Sequence, residues 1–379
     1  MRPRAVRLEE LGTTIFTEMT ALAQRTGAIN LGQGFPDTDG PSEVIEAAVA
    51  ALRGGENQYA PLGGVQSLRE AVLEHQRGYY GLDPEDVLVT FGATEAIAAA
   101  LLGLLNPGDE VVVLEPYYDS YAACIAFAGA RRRPVTLRPP EFALDIDALQ
   151  AAAGPLARVL LLNTPHNPTG RVLSCGELEA IARVCVEHDL VCISDEVYEH
   201  LVYDGEHVPI ATLPGMAQRT LTISSVGKSF SFTGWKIGWC SGPAELVSVV
   251  RGVKQYLTFA GGTPLQHAAA AALRLPAVHL EAARDALRAR RDLLCAGLTE
   301  AGLQPLIPAG TYFVNADVGS GAVDFCRTLP ERCGVVAIPT SVFYDDASAA
   351  PTLVRFAFCK RENVIVEAAR RLARLAGSD

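Results

Sequence analysis

The stretch SSVGKSFSFTGWK, residues 224–236, sets Lys228 between a glycine and a serine. A lysine so placed serves one of two chemistries. It ends a phosphate-cradling P-loop, or its amine bonds covalently to a carbonyl cofactor. A P-loop requires a glycine five residues before Gly227, and that position is Thr222, inside an apolar run that reads as a strand. The dinucleotide fingerprint fails too. In Gly32–Asp37, Pro36 stands where a helix would open and Asp37 where the third glycine belongs. The covalent amine remains.

A carbonyl cofactor that works as an electron sink is pyridoxal 5'-phosphate, and it demands a defined set of partners. Its ring nitrogen needs a carboxylate to stay protonated. Asp195 follows directly on the run LVCIS, where an unpaired charge is costly. At about 4 Å and an effective dielectric near 20 the attraction is about 4 kcal/mol before desolvation. Read alone, Asp195 also suits a helix N-cap ahead of Glu196. Tyr198 can reach the ring oxygen from the same side or fill the core. Asn167, between Pro165 and Pro168, can donate its amide to that oxygen or simply make a turn.

For the phosphate, a helix N-terminus at Ala93 and Thr94 after Gly92 offers free N–H groups, while Ser225 and Lys236 add a hydroxyl and a cation. Lys236 alone also reads as solvent-facing. Tyr118 can stack on the ring or pack as a core aromatic. Arg355 shares a strand face with Leu353 and Ala357, so it either edges into water or binds an anion bidentately. Tyr59 lies in the polar, glycine-rich GGENQYAPLGG, either mobile surface or a loop that reaches a neighbouring subunit.

Most of these residues occupy one kind of position. FGATEA follows DVLVT, PYYDSY follows EVVVLE, TPHNPTG follows RVLLLN, DEVY follows LVCIS, and SVGKSF follows TLTIS. Ligands of open α/β sheets gather at the carboxyl ends of the strands. Residues 87–275 alternate buried apolar runs with helical patterns, which indicates an α/β domain with a mostly parallel sheet. Beyond about residue 276 a long amphipathic helix, three strand-like runs and a last helix indicate a smaller α+β domain. A chain of 379 residues fits two domains.

Composition narrows the function classes. No apolar run approaches the roughly 18 to 20 residues of a bilayer span, and Glu9 and Glu10 interrupt any secretory h-region. A net charge of −11 opposes nucleic-acid binding, and the one tight basic run, Arg131–Arg133, reads as a solvated turn. Nine cysteines without a C-x-x-C pair read as reduced core residues of a cytoplasmic protein. Seven histidines show no ligand spacing, so no metal site is expected.

With Asn167, Asp195, Tyr198, Lys228 and Arg355 in this order along the chain, it resembles the class I pyridoxal-phosphate aminotransferases of fold type I. The likeness runs from INLGQGFPD to LVRFAFCKRE and rests on NTPHNPTG, SDEVYEHLVYDG and SSVGKSFSFTGWKIGW. It is most similar to the branch holding kynurenine aminotransferase, glutamine transaminase K and methionine aminotransferase. FGATEAIAAALLGLL and KQYLTFAGGTPLQHAAA bring it nearest to the N-succinyldiaminopimelate aminotransferases of the lysine pathway.

The resemblance implies a three-layer αβα large domain at 36–275, a small domain at 276–379, and residues 1–35 as an N-terminal arm and part of the small domain. It implies small-molecule amino acid and keto acid substrates, with glutamate as donor. Lys228 would carry the cofactor and shuttle a proton, Asp195 would pair with the ring nitrogen, and Arg355 would hold the α-carboxylate with help from Asn167 and Gly34. A homodimer is implied in which Tyr59 crosses to the other subunit's phosphate. Many relatives have arginine where this chain has Lys236, which substitutes a point charge for a fork. A pyridoxal-dependent β-lyase and a cofactor-binding protein without turnover are the rival readings.

Overall fold

A computed structural model describes residues 5–8, 12 and 14–377; the others, including the start of the expected N-terminal arm, lie outside the described residues. After the short strand β1 (Ile29–Asn30) come β2 (Asp86–Phe91), β3 (Glu110–Glu115), β4 (Arg131–Thr136), β5 (Ala157–Asn163), β6 (Val191–Asp195), β7 (Thr220–Ser225) and β8 (Ile237–Gly242). The latter seven form one sheet in the order β2-β8-β7-β6-β5-β3-β4. Only β8 runs antiparallel to its neighbours, and the sheet is mostly parallel, as the alternating texture predicts.

The strands are apolar on both faces because helices cover both. In β5, Val159 and Leu161 join the cluster that holds Ile97, Tyr121 and Ile193, whereas Leu160 and Leu162 point into the one that holds Leu178, Ile181 and Cys192. Side chains alternate across a strand, so each face needs its own apolar layer.

Two local readings are corrected. Arg131–Arg133 do not form a solvated turn; they open the edge strand β4, paired in parallel with Glu110–Val112 of β3. An edge strand leaves half its surface in water, so arginines sit there without breaking the ladder. The strand β8 was not anticipated, because Gly238, Ser241 and Gly242 dilute its apolar signal.

A second, antiparallel sheet contains β9 (Gln304–Leu306), β10 (Phe313–Asp317), β12 (Ile338–Pro339) and β13 (Leu353–Ala357), in the order β12-β13-β10-β9. Strand β1 pairs with β11 (Val335–Val336). Met19, Ala23 and Leu31 share a core with Leu294, Val314, Val336 and Phe356, so the described N-terminal segment packs with the C-terminal sheet. The long helix Ala277–Glu300 packs on β9 and β10 of that sheet, and the last helix Glu362–Leu372 packs on the long helix and on β11.

Candidate active site

A cavity of about 330 Å³ lies where the carboxyl ends of the large sheet meet the antiparallel sheet. It is lined by Lys228, Asp195, Tyr198, Asn167, Gly34, Ala93, Thr94, Tyr118, Ser225, Lys236 and Arg355. The sequence thus nominated residues spread over 322 positions that the fold gathers in one place. Tyr59 is not among the lining residues; it is 80% exposed, its ring edge-on to Phe259 at 5.5 Å.

Asp195 ends β6 and is buried. No helix follows it, so it is not an N-cap. Its carboxylate accepts a hydrogen bond from Tyr121 Oη at 2.5 Å and a longer one from Val197 N at 3.3 Å. Burial raises its pKa to about 6, against the pull of those two donors and of Lys228. The neighbouring strand end is tied to the same point: Asn163 donates to the Asp195 carbonyl at 2.8 Å and accepts from Asn167 N at 2.8 Å.

Lys228 sits in the first turn after β7, half-buried, 5.6 Å from the ring centroids of both Tyr198 and Tyr312. Its amine donates to Tyr312 Oη at 3.0 Å. Burial lowers its pKa to about 8, with Lys236 and Arg355 adding repulsion. An ordinary surface lysine holds its proton far above neutrality, whereas this amine gives it up within reach of physiological pH.

Arg355, in the middle of β13, is fully buried and does not edge into water. Its guanidinium lies between Phe313 and Phe343, 4.0 and 4.6 Å from their centroids. Nη1 donates to Asn167 Oδ1 at 2.9 Å and Nη2 to the Gly32 carbonyl at 3.0 Å, while Nε is buried with no partner among the described residues. Burial pulls its pKa down to about 10, which still leaves it charged at neutral pH. A buried cation faced by aromatic rings and carrying a spare donor is built to receive an anion.

At the other end of the cavity the helix Gly92–Leu104 begins, and the N–H groups of its first turn have no intrahelical partners. Gly92 has φ +71°, and a side-chain carbon there would meet Lys236 Nζ at 3.1 Å. The ammonium of Lys236 therefore stands at the positive end of a helix dipole. That arrangement is unfavourable by itself and becomes favourable once an anion lies between them.

The sequence reading missed Tyr121, Asn163, Phe16, Gln33, Phe313 and Tyr312. It also expected no metal ligands to meet, yet His75, Glu199 and His200 converge. Their geometry is that of a hydrogen-bond network. The two Nε2 atoms are 2.8 Å apart and share a proton, whereas two nitrogens on a tetrahedral zinc stand about 3.3 Å apart. The Glu199 oxygens accept from Tyr80 at 2.7 Å and Ser224 at 2.5 Å, and His200 Nδ1 bonds Ser229 beside Lys228 at 2.9 Å.

The sequence pattern of aminotransferase class I and II matches residues 26–372. The chain belongs to this aminotransferase family. It is an enzyme of the transaminase type, with the fold of its relatives. It is 53% identical to a probable N-succinyldiaminopimelate aminotransferase of Mycobacterium tuberculosis over 98% of each chain. The solved N-succinyldiaminopimelate aminotransferase of that organism superposes with a TM-score of 0.96, covering 98% of this chain and 100% of the other. The methionine aminotransferase of Escherichia coli is 42% identical, over 97% of each chain. A kynurenine–oxoglutarate transaminase of Mus musculus is 38% identical, over 95% of this chain and 88% of its own. The branch suggested by the motifs is thus the branch in which this aminotransferase has relatives.

Proposed function

We propose that the protein binds pyridoxal 5'-phosphate at Lys228 and transfers the amino group of glutamate to N-succinyl-2-amino-6-ketopimelate, in the cytoplasm, as a step of lysine formation. The observation that carries the reading is the convergence of Lys228, Asp195 and Arg355 on one cavity, in a chain 53% identical to an enzyme named for that substrate.

The donor set fits the cofactor. Lys236, Ser225 and the helix N-terminus at Ala93 and Thr94 would hold the phosphate. Asp195 would face the ring nitrogen, Tyr198 and Asn167 the ring oxygen, and Tyr118 the ring face. When bound, the group supplies an electron sink for the substrate's α-carbon. The chain's own residues do the rest. Arg355 holds the α-carboxylate through Nε and its remaining N–H groups, with Asn167 and the Gly34 backbone beside it. Lys228 Nζ takes the α-proton and holds it, a role suited to an amine whose pKa is about 8. Phe16, Phe35 and Phe313 exclude water from one side of the cavity.

A homodimer accounts for Tyr59, which would reach the phosphate of the other subunit. Its ring neighbour Phe259 is 42% exposed, and the same stretch of chain exposes Tyr256 at 84% and Leu257 at 53%. A patch of that kind marks an interaction surface.

The test compares kcat/KM for N-succinyldiaminopimelate, kynurenine, methionine and glutamine with 2-oxoglutarate as acceptor. Succinyldiaminopimelate is expected to lead by tenfold or more, about 1.4 kcal/mol of transition-state preference. A lead for kynurenine or methionine of that size overturns the substrate. Release of pyruvate and ammonia from cystathionine at comparable rates indicates a β-lyase instead.

A further inference from the structure

Lys228 has a partner that none of the roles above includes. Tyr312 is fully buried at the start of the run into β10, and its hydroxyl touches two groups from distant parts of the chain. It donates its proton to the Gly34 carbonyl at 2.6 Å. A phenol has a single proton to give, so toward Lys228 Nζ, 3.0 Å away, its oxygen acts only as acceptor. The ring is fixed from several sides. It lies edge-on to Tyr198 at 5.2 Å and against Phe313 at 4.9 Å, and a side-chain carbon on Gly34 would strike Phe313 at 2.3 Å.

We propose that Tyr312 is a positioning residue for the transamination: it is the rest for the Lys228 amine whenever that amine is not covalently engaged, and it ties the amine to the Gly34 segment beside the substrate carboxylate. The proposal rests on the reading of Lys228 as proton carrier. An amine freed from its covalent bond and left to rotate would spread over several rotamers. Held by an acceptor oriented through Gly34, it stays in one, and a proton carrier held in place retains its effective molarity. Tyr312 does not itself exchange protons, because burial holds its phenol well above the ordinary tyrosine range. A second cavity of about 320 Å³, lined by Lys228, Tyr312, Cys359 and Arg290, approaches the amine from the side of Ala277–Glu300 and gives small reagents a path to it.

The test uses Tyr312→Phe, with Tyr312→Met as a second variant that lacks the oxygen and has a different shape. In cofactor-free protein, the pH dependence of reductive methylation of Lys228 is followed by mass spectrometry. An oxygen that accepts from the amine favours its charged form, so losing it moves the reactivity midpoint down by about half to one pH unit in both variants. In the loaded enzyme, the single-turnover rate with glutamate falls about tenfold while KM stays within twofold, and the α-deuterium isotope effect rises. An unchanged midpoint together with an unchanged single-turnover rate overturns the proposal. Lys228→Ala is run in parallel: if it still transfers amino groups, the reading of Lys228 itself fails; if it is inactive while Tyr312→Phe behaves as wild type, only the role of Tyr312 falls.

Discussion

Replacing Asp195 with asparagine separates what the site costs from what it does. The carboxylate is buried, and burial raises its pKa to about 6 from the ordinary 3.8. The folded protein therefore binds this proton more tightly than the unfolded chain, and stability is lost as pH rises from about 4 to about 6. At about 1.4 kcal/mol per pH unit, keeping Asp195 ionised at pH 7 costs the cofactor-free protein about 3 kcal/mol. Asparagine removes the charge and keeps an acceptor for Tyr121. Cofactor-free Asp195→Asn is expected to be more stable than wild type at pH 7 by about 1 to 3 kcal/mol, with the difference vanishing below pH 4. Catalysis moves the other way. The attraction lost to the ring nitrogen of the proposed cofactor at about 4 Å is up to about 4 kcal/mol, so the single-turnover rate with glutamate should fall by as much as about 1000-fold. Urea melts at pH 4 to 8 and stopped-flow absorbance measure the two effects. A variant that is less stable than wild type at pH 7, or that reacts within threefold of it, refutes the reasoning.

Three further outcomes follow from the same geometry. Arg355→Gln removes charge-assisted hydrogen bonds of about 1.5 to 3 kcal/mol each, so steady-state kcat/KM should drop about 10² to 10³-fold for donor and acceptor alike; a loss under tenfold for either places the carboxylate elsewhere. Lys236→Met should weaken cofactor binding about tenfold or more in a fluorescence titration while leaving the melting temperature of the cofactor-free protein equal or higher, because the variant relieves the repulsion at the helix end. Capture of the cofactor by the cofactor-free protein needs a neutral amine, so its rate should climb about tenfold per pH unit and level off near pH 8; levelling only above pH 10 would mean that Lys228 titrates as an exposed lysine.

The site was legible in the sequence where a polar residue interrupts an apolar strand end, since burial there is too costly without a partner. Asp195 betrays itself in that way, whereas Lys228 shows through its glycine and serine neighbours and Asn167 through the prolines on either side. Tyr121 does not. It lies in the first turn of the helix Asp119–Phe127, 74 positions before the carboxylate it bonds, and looks like any core aromatic. Tyr312 is hidden likewise, and so is the pairing of His75 with His200 across 125 positions. The arginines of β4 misled because an edge strand need not be apolar on its outer side. The texture of alternating runs carried the layered fold, and the glycines of β8 concealed a single strand within it.

The crowding of like charge where Lys236 meets the helix Gly92–Leu104 reaches into bench practice. A small tetrahedral oxyanion such as inorganic phosphate or sulfate should compete there with the phosphate of the proposed cofactor. Reconstitution with the proposed cofactor should therefore run slower and appear weaker in phosphate or sulfate than in an amine buffer of equal ionic strength.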